Sequence, residues 1–159
     1  MTGDARILVL MATYNGQAHL AEQLDSIFDQ EGVEVTLRVS DDCSTDNTFR
    51  ILETYAAEHE NLEIIYNTAH KGKTRTLMKL VYEAPVEEYD FIALANQDDV
   101  WHPGKLAAGT DHISANTSRP ELYYAGTNCI DERGRLLGDE FEEYDVCASH
   151  PGSLLLVRN

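Results

Sequence analysis

Basic residues are scarce in this 159-residue sequence: 12 Lys and Arg stand against 28 Asp and Glu, for a net charge of −16. So acidic a surface excludes general nucleic-acid binding and attraction to an anionic membrane. It also means that a phosphate-bearing ligand needs a metal ion or a local basic patch. Cysteine is scarce too. Cys43, Cys129 and Cys147 are odd in number, widely spaced and without a Cys-x-x-Cys pair. That excludes a disulfide framework or a zinc site and fits reduced thiols in the cytosol. No apolar run approaches the ~18 residues of a transmembrane helix, and Met1 to Asp4 is too short and polar for a signal peptide. The expectation is a cytoplasmic chain without a transmembrane segment, with peripheral attachment to the inner face of a membrane left open. Internal repeats, linkers and low-complexity segments are missing. What remains is ordinary: 43% of residues are hydrophobic, enough for one domain that buries roughly 70% of the surface its unfolded form exposes.

Apolar runs and helical periodicities alternate along the chain. Arg6 to Met11 reads as a first buried strand, followed by Ala12-Thr13-Tyr14-Asn15-Gly16, residues that turn the chain and approach a ligand closely. From Gln17, Leu20, Leu24, Ile27 and Phe28 fall on one helical face. Val33 to Ser40 alternates and is rich in β-branched residues, a second strand. After Asp41-Asp42, one of Ser44, Thr45 and Asp46 caps a helix that ends near His59. Leu62 to Tyr66 is a third strand. Leu77, Met78, Leu80 and Val81 form the buried face of a helix beginning near Thr74 and ended by Pro85. Phe91 to Ala95 is short and uncharged enough to be buried on both faces of a sheet. A modest helix runs to Asn116, Leu122 to Ala125 is a further strand, and Asn128 to Leu137 is a hairpin turning at Glu132-Arg133-Gly134. The acidic run Asp139 to Asp145 reads as a solvated loop. Leu154 to Val157 is strand-like so near the last residue that it points to a chain cut short, with a strand left unpaired.

The chemistry gathers where strands end. Open α/β sheets bind ligands at the carboxyl edge of their strands, and Asn96-Gln97-Asp98-Asp99 follows the Phe91–Ala95 strand directly. Adjacent carboxylates there offer hard oxygen ligands for Mg²⁺ or Mn²⁺, usually shared with a substrate phosphate. An isolated Asp-Asp pair is most often an acidic turn; its place between a buried strand and a helix started by Pro103 argues for more. Trp101 can wall a pocket. Asp41 and Asp42 are two like charges beside a buried strand end, which repel unless something neutralises them. Lys71, Lys73, Arg75 and Lys79 cluster within nine positions around Gly72, so a loop leading into a helix can aim N–H groups and cations at an anion. His70 alone reads as a surface histidine.

Taken together, the stretches ATYNG, SDDCSTDNT, Asn67 to Arg75 and ANQDDVWHPGKL resemble, in order, the nucleotide-sugar-binding half of a family 2 glycosyltransferase. The QDDVW-PxKL pattern is similar to that of bacterial rhamnosyltransferase-like enzymes of surface-polysaccharide assembly. The resemblance implies a GT-A fold for residues 1–159, a Rossmann-like three-layer α/β/α sandwich with a mostly parallel central sheet, lacking its C-terminal acceptor part. It implies that Thr13, Tyr14 and Asn15 line the nucleotide pocket, that Asp41 and Asp42 contact base and ribose, and that Lys71 and Arg75 face the diphosphate. Asn96, Gln97 and Asp98 occupy the family's Asp-x-Asp motif, making Asp98, with Asp99 beside it, the ligand of Mg²⁺ or Mn²⁺. Asn96 replaces the motif's first Asp and removes a charge.

The implied activity is transfer of a hexosyl group, with inversion, from a UDP- or dTDP-sugar to a glycan or lipid-linked acceptor. The family's general base lies beyond the segment matching Ser153 to Asn159, so no catalytic residue is assigned; the acids at 139–145 are a weak substitute. The alternative is a nucleotide-sugar-binding fragment without turnover. A nucleotidyltransferase would need a glycine-rich phosphate loop after the first strand, where only Gly16 stands.

Overall fold

The computed structural model describes residues 4–113, 122–126, 128–131, 133–136 and 154–157. Strand β1 (Ala5–Thr13) is followed by helix α1 (Leu20–Phe28), strand β2 (Val33–Asp41), helix α2 (Thr48–Glu58) and strand β3 (Leu62–Tyr66). Helix α3 (Lys73–Tyr82), strand β4 (Phe91–Ala95), helix α4 (Lys105–His112), and strands β5 (Leu122–Tyr124) and β6 (Leu154–Val157) complete the order. The sheet runs β3-β2-β1-β4-β6-β5. Its first four strands are parallel, and β6 lies antiparallel between β4 and β5. This is the expected mostly parallel α/β architecture.

Strand β1 is the spine. Ile7, Leu8, Val9, Leu10 and Met11 are all fully buried, and strand geometry sends alternate ones to opposite faces. Ile7, Val9 and Met11 pack with Leu20, Leu24 and Ile27 of α1, Leu52 of α2 and Leu106 of α4. Leu8 and Leu10 pack with Ile92 and with Leu77, Leu80 and Val81 of α3. Each such side chain contributes about 1.5–3 kcal/mol on burial, so both helical layers depend on this one strand. The three-layer sandwich follows. The crossovers through α1 and α2 lie on one face, that through α3 on the other. The strand order therefore reverses between β1 and β4, the place where an open sheet leaves a crevice at its carboxyl edge.

Several local expectations are corrected. Helix α1 begins at Leu20, after a turn at 17–19 in which the His19 and Leu20 N–H groups both donate to the Gly16 carbonyl, and Gln17 Oε1 ties that turn to the Asn47 N–H and Nδ2–H at 3.0 and 3.1 Å. Helix α2 begins at Thr48 with Asn47 at its N-cap, so none of Ser44, Thr45 and Asp46 holds that position, although Asp46 Oδ1 accepts the Thr48 N–H at 2.9 Å. Met78 is 59% exposed and Thr76 is buried in its stead. At 3.6 residues per turn, Thr76, Leu77 and Leu80 share a face and position 78 points away from it. Helix α4 ends at His112. Strand β6 is paired along both edges, so the expectation of an unpaired final strand is overturned. The hairpin is present around the Ile130–Leu136 bridge, with Gly134 at φ 72°. The acidic run at 139–145 and Cys147 lie outside the described residues. Among the described residues, no helix is long and apolar enough to cross a membrane.

Candidate functional site

Register brings the strand ends together. Thr13 pairs with Asp41 and Asp41 with Tyr66, while Ala95 pairs with Met11. The loops beginning at residues 14, 42, 67 and 96 therefore leave one edge of the sheet, the edge of the crevice. Two of these loops carry non-glycine residues in the left-handed region, Asn15 at φ 47° and Cys43 at φ 71°. Such backbone is held only where surroundings over-determine it. Asn15 is held by Ser44, whose Oγ accepts the Asn15 N–H at 2.9 Å, and by Thr45, whose N–H donates to Asn15 Oδ1 at 2.8 Å.

The acidic pair Asp41-Asp42 is buried, and the protein neutralises it internally. Asp41 accepts from Thr13 Oγ1 at 2.8 Å, Ser44 Oγ at 2.6 Å and Ser44 N–H at 2.9 Å. Asp42 is 1% exposed and organises the next loop. It accepts the Lys71 N–H at 3.0 Å, the Gly72 N–H at 2.7 Å, Thr76 Oγ1 at 2.9 Å and Asn67 Nδ2 at 3.2 Å. Burial alone would raise the Asp42 pKa; the bonds from Lys71, Gly72, Thr76 and Asn67 outweigh it and hold the carboxyl below its ordinary 3.8. Gly72 adopts φ 90°, ψ 145°, a region open essentially to glycine alone. Nothing crowds its α-carbon, so backbone conformation and not space requires it. With the loop so held, Lys71, Lys73 and Arg75 are exposed at the start of α3.

Across the β1–β4 crevice, Gln97 grips Tyr14. Its Oε1 accepts the Tyr14 N–H at 2.9 Å and its Nε2 donates to the Tyr14 carbonyl at 3.1 Å. Gly16 makes room: a Cβ there would lie 2.6 Å from Gln97 Oε1. The Tyr14 ring is partly exposed and leans on His70, with centroids 4.2 Å apart.

Beyond β4, Asn96 Nδ2 donates to Asp99 Oδ2 at 3.1 Å. The amide tethers its acidic neighbour where a carboxylate would repel it. Asp98 is exposed and has no hydrogen-bond or ion-pair partner among the described residues. Trp101 is buried, its backbone N–H donating to Ser26 Oγ at 2.9 Å, and Lys105 Nζ lies 4.8 Å from its ring centroid. Burial lowers the Lys105 pKa, opposed by the Asp99 charge. No group of three or more His, Cys, Asp or Glu that could hold a metal occurs among the described residues. Asp98 and Asp99 still fit Mg²⁺ or Mn²⁺ as a two-carboxylate site completed by a ligand phosphate and water.

The structure thus brings Thr13, Tyr14, Asn15, Asp41, Asp42, Lys71, Arg75, Asn96, Gln97, Asp98 and Asp99 to one sheet edge, in unequal roles. Asp41, Asp42 and Gln97 spend their polar atoms on protein; Asp98, Lys71 and Arg75 face outward. Sequence reasoning passed over Thr76 and read Gly16 as a turn residue, Ser44 as a cap candidate and Asn67 as the start of the basic loop; in the structure all four hold these loops in place.

Comparison with known proteins agrees with this geometry. Residues 8–119 match the family described as Glycosyl transferase family 2. The dTDP-rhamnosyl transferase RfbG of Shigella flexneri is 34% identical over 110 residues, covering 68% of this chain and 38% of that protein. The UDP-Glc:alpha-D-GlcNAc-diphosphoundecaprenol beta-1,3-glucosyltransferase WfgD of Escherichia coli is 29% identical over 104 residues, 65% of this chain and 39% of that one. Among solved structures, S. aureus TarS 1-349 in complex with UDP aligns with a TM-score of 0.59 at 27% identity, covering 67% of this chain and 31% of that one. This chain therefore spans well under half the length of these relatives. With its sheet, crevice and strand-end loops in the family's order, the chain belongs to glycosyl transferase family 2.

Proposed function

We propose that this chain binds the nucleotide-diphosphate sugar donor of a glycosyltransferase of surface-polysaccharide assembly. The observation that carries the reading is the edge itself. Asp98, without a partner among the described residues, follows β4, and the exposed cations Lys71 and Arg75 stand on the loop locked by Asp42 and in the first turn of α3 behind it. On a chain of net charge −16, such a combination suits a diphosphate better than any neutral ligand. Tyr14 and Asn15, with Thr13 beneath them, would wall the nucleoside, and Asp41 and Asp42 would shape its base and ribose end.

Asp98, with Asp99, would hold Mg²⁺ or Mn²⁺, which when bound neutralises charge on the departing nucleoside diphosphate. Lys71 and Arg75 would stabilise the same charge from the opposite loop, fixed before the reaction begins. In an inverting transfer the acceptor hydroxyl oxygen attacks the anomeric carbon, the bond to the diphosphate breaks, and the hydroxyl proton goes to a general base. No residue of this chain is assigned as that base. RfbG and the UDP complex of TarS motivate a dTDP- or UDP-sugar as donor, and WfgD a lipid-linked glycan as acceptor.

Calorimetric titration of UDP and dTDP, with Mn²⁺ and then with EDTA, tests the reading. Metal-dependent binding of either supports it and shows which base fits. No binding by folded protein would sink it. Binding without any transfer when a donor sugar and a lipid-linked acceptor are supplied would favour the second reading, a donor-binding unit without turnover.

A further inference from the structure

His70 carried no signal in the sequence, yet it is the side chain that joins three of the four loops. Its Nδ1 lies 2.9 Å from Asp42 Oδ2 and 3.2 Å from the Asp42 carbonyl oxygen. Both partners are acceptors, so Nδ1 must carry the proton. Its ring rests against Tyr14, centroids 4.2 Å apart and planes tilted by 38°. The residues that follow, Lys71 and Gly72, donate their N–H groups to the same Asp42 carboxylate. His70 side-chain atoms remain about half exposed, so this contact is at the rim of the crevice and not in the core.

We propose that His70 is a positioning residue of the donor site, resting on the donor-binding reading above: a brace that locks Tyr14 against the Asp42-held loop. Tyr14 is then held twice, its peptide by Gln97 and its ring by His70. An aromatic side chain fixed before the ligand arrives loses less freedom on binding, so affinity is gained without a new ligand contact. The same brace keeps the Lys71 and Gly72 backbone turned inward on Asp42, which leaves the Lys71 side chain facing out. The ligand class is a nucleoside diphosphate, stacked or walled by Tyr14 and met by the cations that follow His70.

The test uses the full 159-residue chain. In ligand-free protein, long-range ¹H–¹⁵N spectra should show the Nδ1–H tautomer of His70; a predominant Nε2–H form overturns the proposal. Titration of UDP and dTDP with Mn²⁺ should show His70→Ala binding about tenfold more weakly, at an unchanged melting temperature. His70→Phe keeps the ring without the donor, and His70→Asn keeps a donor without the ring, so both should fall between. Equal affinity in all four proteins overturns it. Should the wild type bind neither nucleotide, the donor reading falls by itself. The brace is then decided by amide exchange at Lys71 and Gly72: faster exchange in His70→Ala supports it, and unchanged exchange overturns it.

Discussion

The Gln97 carboxamide binds both polar groups of the Tyr14 peptide, 2.9 Å from its N–H and 3.1 Å from its carbonyl oxygen, across 83 residues of sequence. This pair bridges β1 and β4 where the strand order reverses. A polar residue in an acidic stretch thereby ties together the two loops that flank the crevice.

Gln97→Ala should cost about 1–2 kcal/mol of stability, the range for two modest hydrogen bonds, and weaken nucleotide binding about tenfold by freeing Tyr14. Urea unfolding and nucleotide titration check the two effects separately. Wild-type affinity in the variant would show that Tyr14 needs no such anchor.

Gly16→Ala should reproduce the loss. The new Cβ would meet Gln97 Oε1 at 2.6 Å and Cδ at 2.8 Å, and the flexible amide will swing off Tyr14 before the backbone moves. In a double-mutant cycle, Gly16→Ala added to Gln97→Ala should cost almost nothing further. Full additivity would place the damage elsewhere.

Asp42→Asn should destabilise the fold by about 2–4 kcal/mol, because an amide nitrogen would then face the Lys71 or Gly72 N–H, which have no other acceptor among the described residues. The pH dependence has a definite sign. The Asp42 pKa is lower in the folded state than its ordinary 3.8, so its contribution is full above about pH 4 and fades as pH falls through the depressed folded value. The stability gap between wild type and Asp42→Asn should therefore shrink as the pH falls below about 4. A gap that widened in acid would contradict the assignment of that carboxylate.

Asp98→Ala should abolish metal-dependent nucleotide binding and leave the melting temperature within about 2 °C, as expected for an exposed side chain away from core and caps. Unchanged affinity with and without Mn²⁺ would remove Asp98 from the metal site.

Much of this was legible in the residues. Runs such as Ile7 to Met11 and Phe91 to Ala95 can be little else than strands buried on two faces, and the helical spacing of Leu20, Leu24 and Ile27 is equally plain. Local pattern therefore determined the parallel α/β architecture, the four loops and which of them bear acid or base. Only the tertiary structure decided what each polar residue does. Asp42 and Asp98 look alike in sequence, each half of an Asp-Asp pair after a strand. One is buried under donors about 30 residues on, and the other is exposed without a partner among the described residues. His70 and Met78 show the same limit, one bound to Asp42 through a contact 28 residues back, the other turned outward by the phase of its helix. Hydrophobic periodicity is a local property and can be read along the chain. A hydrogen bond between loops depends on strand register and on the face each crossover takes, which exist only once the sheet has formed.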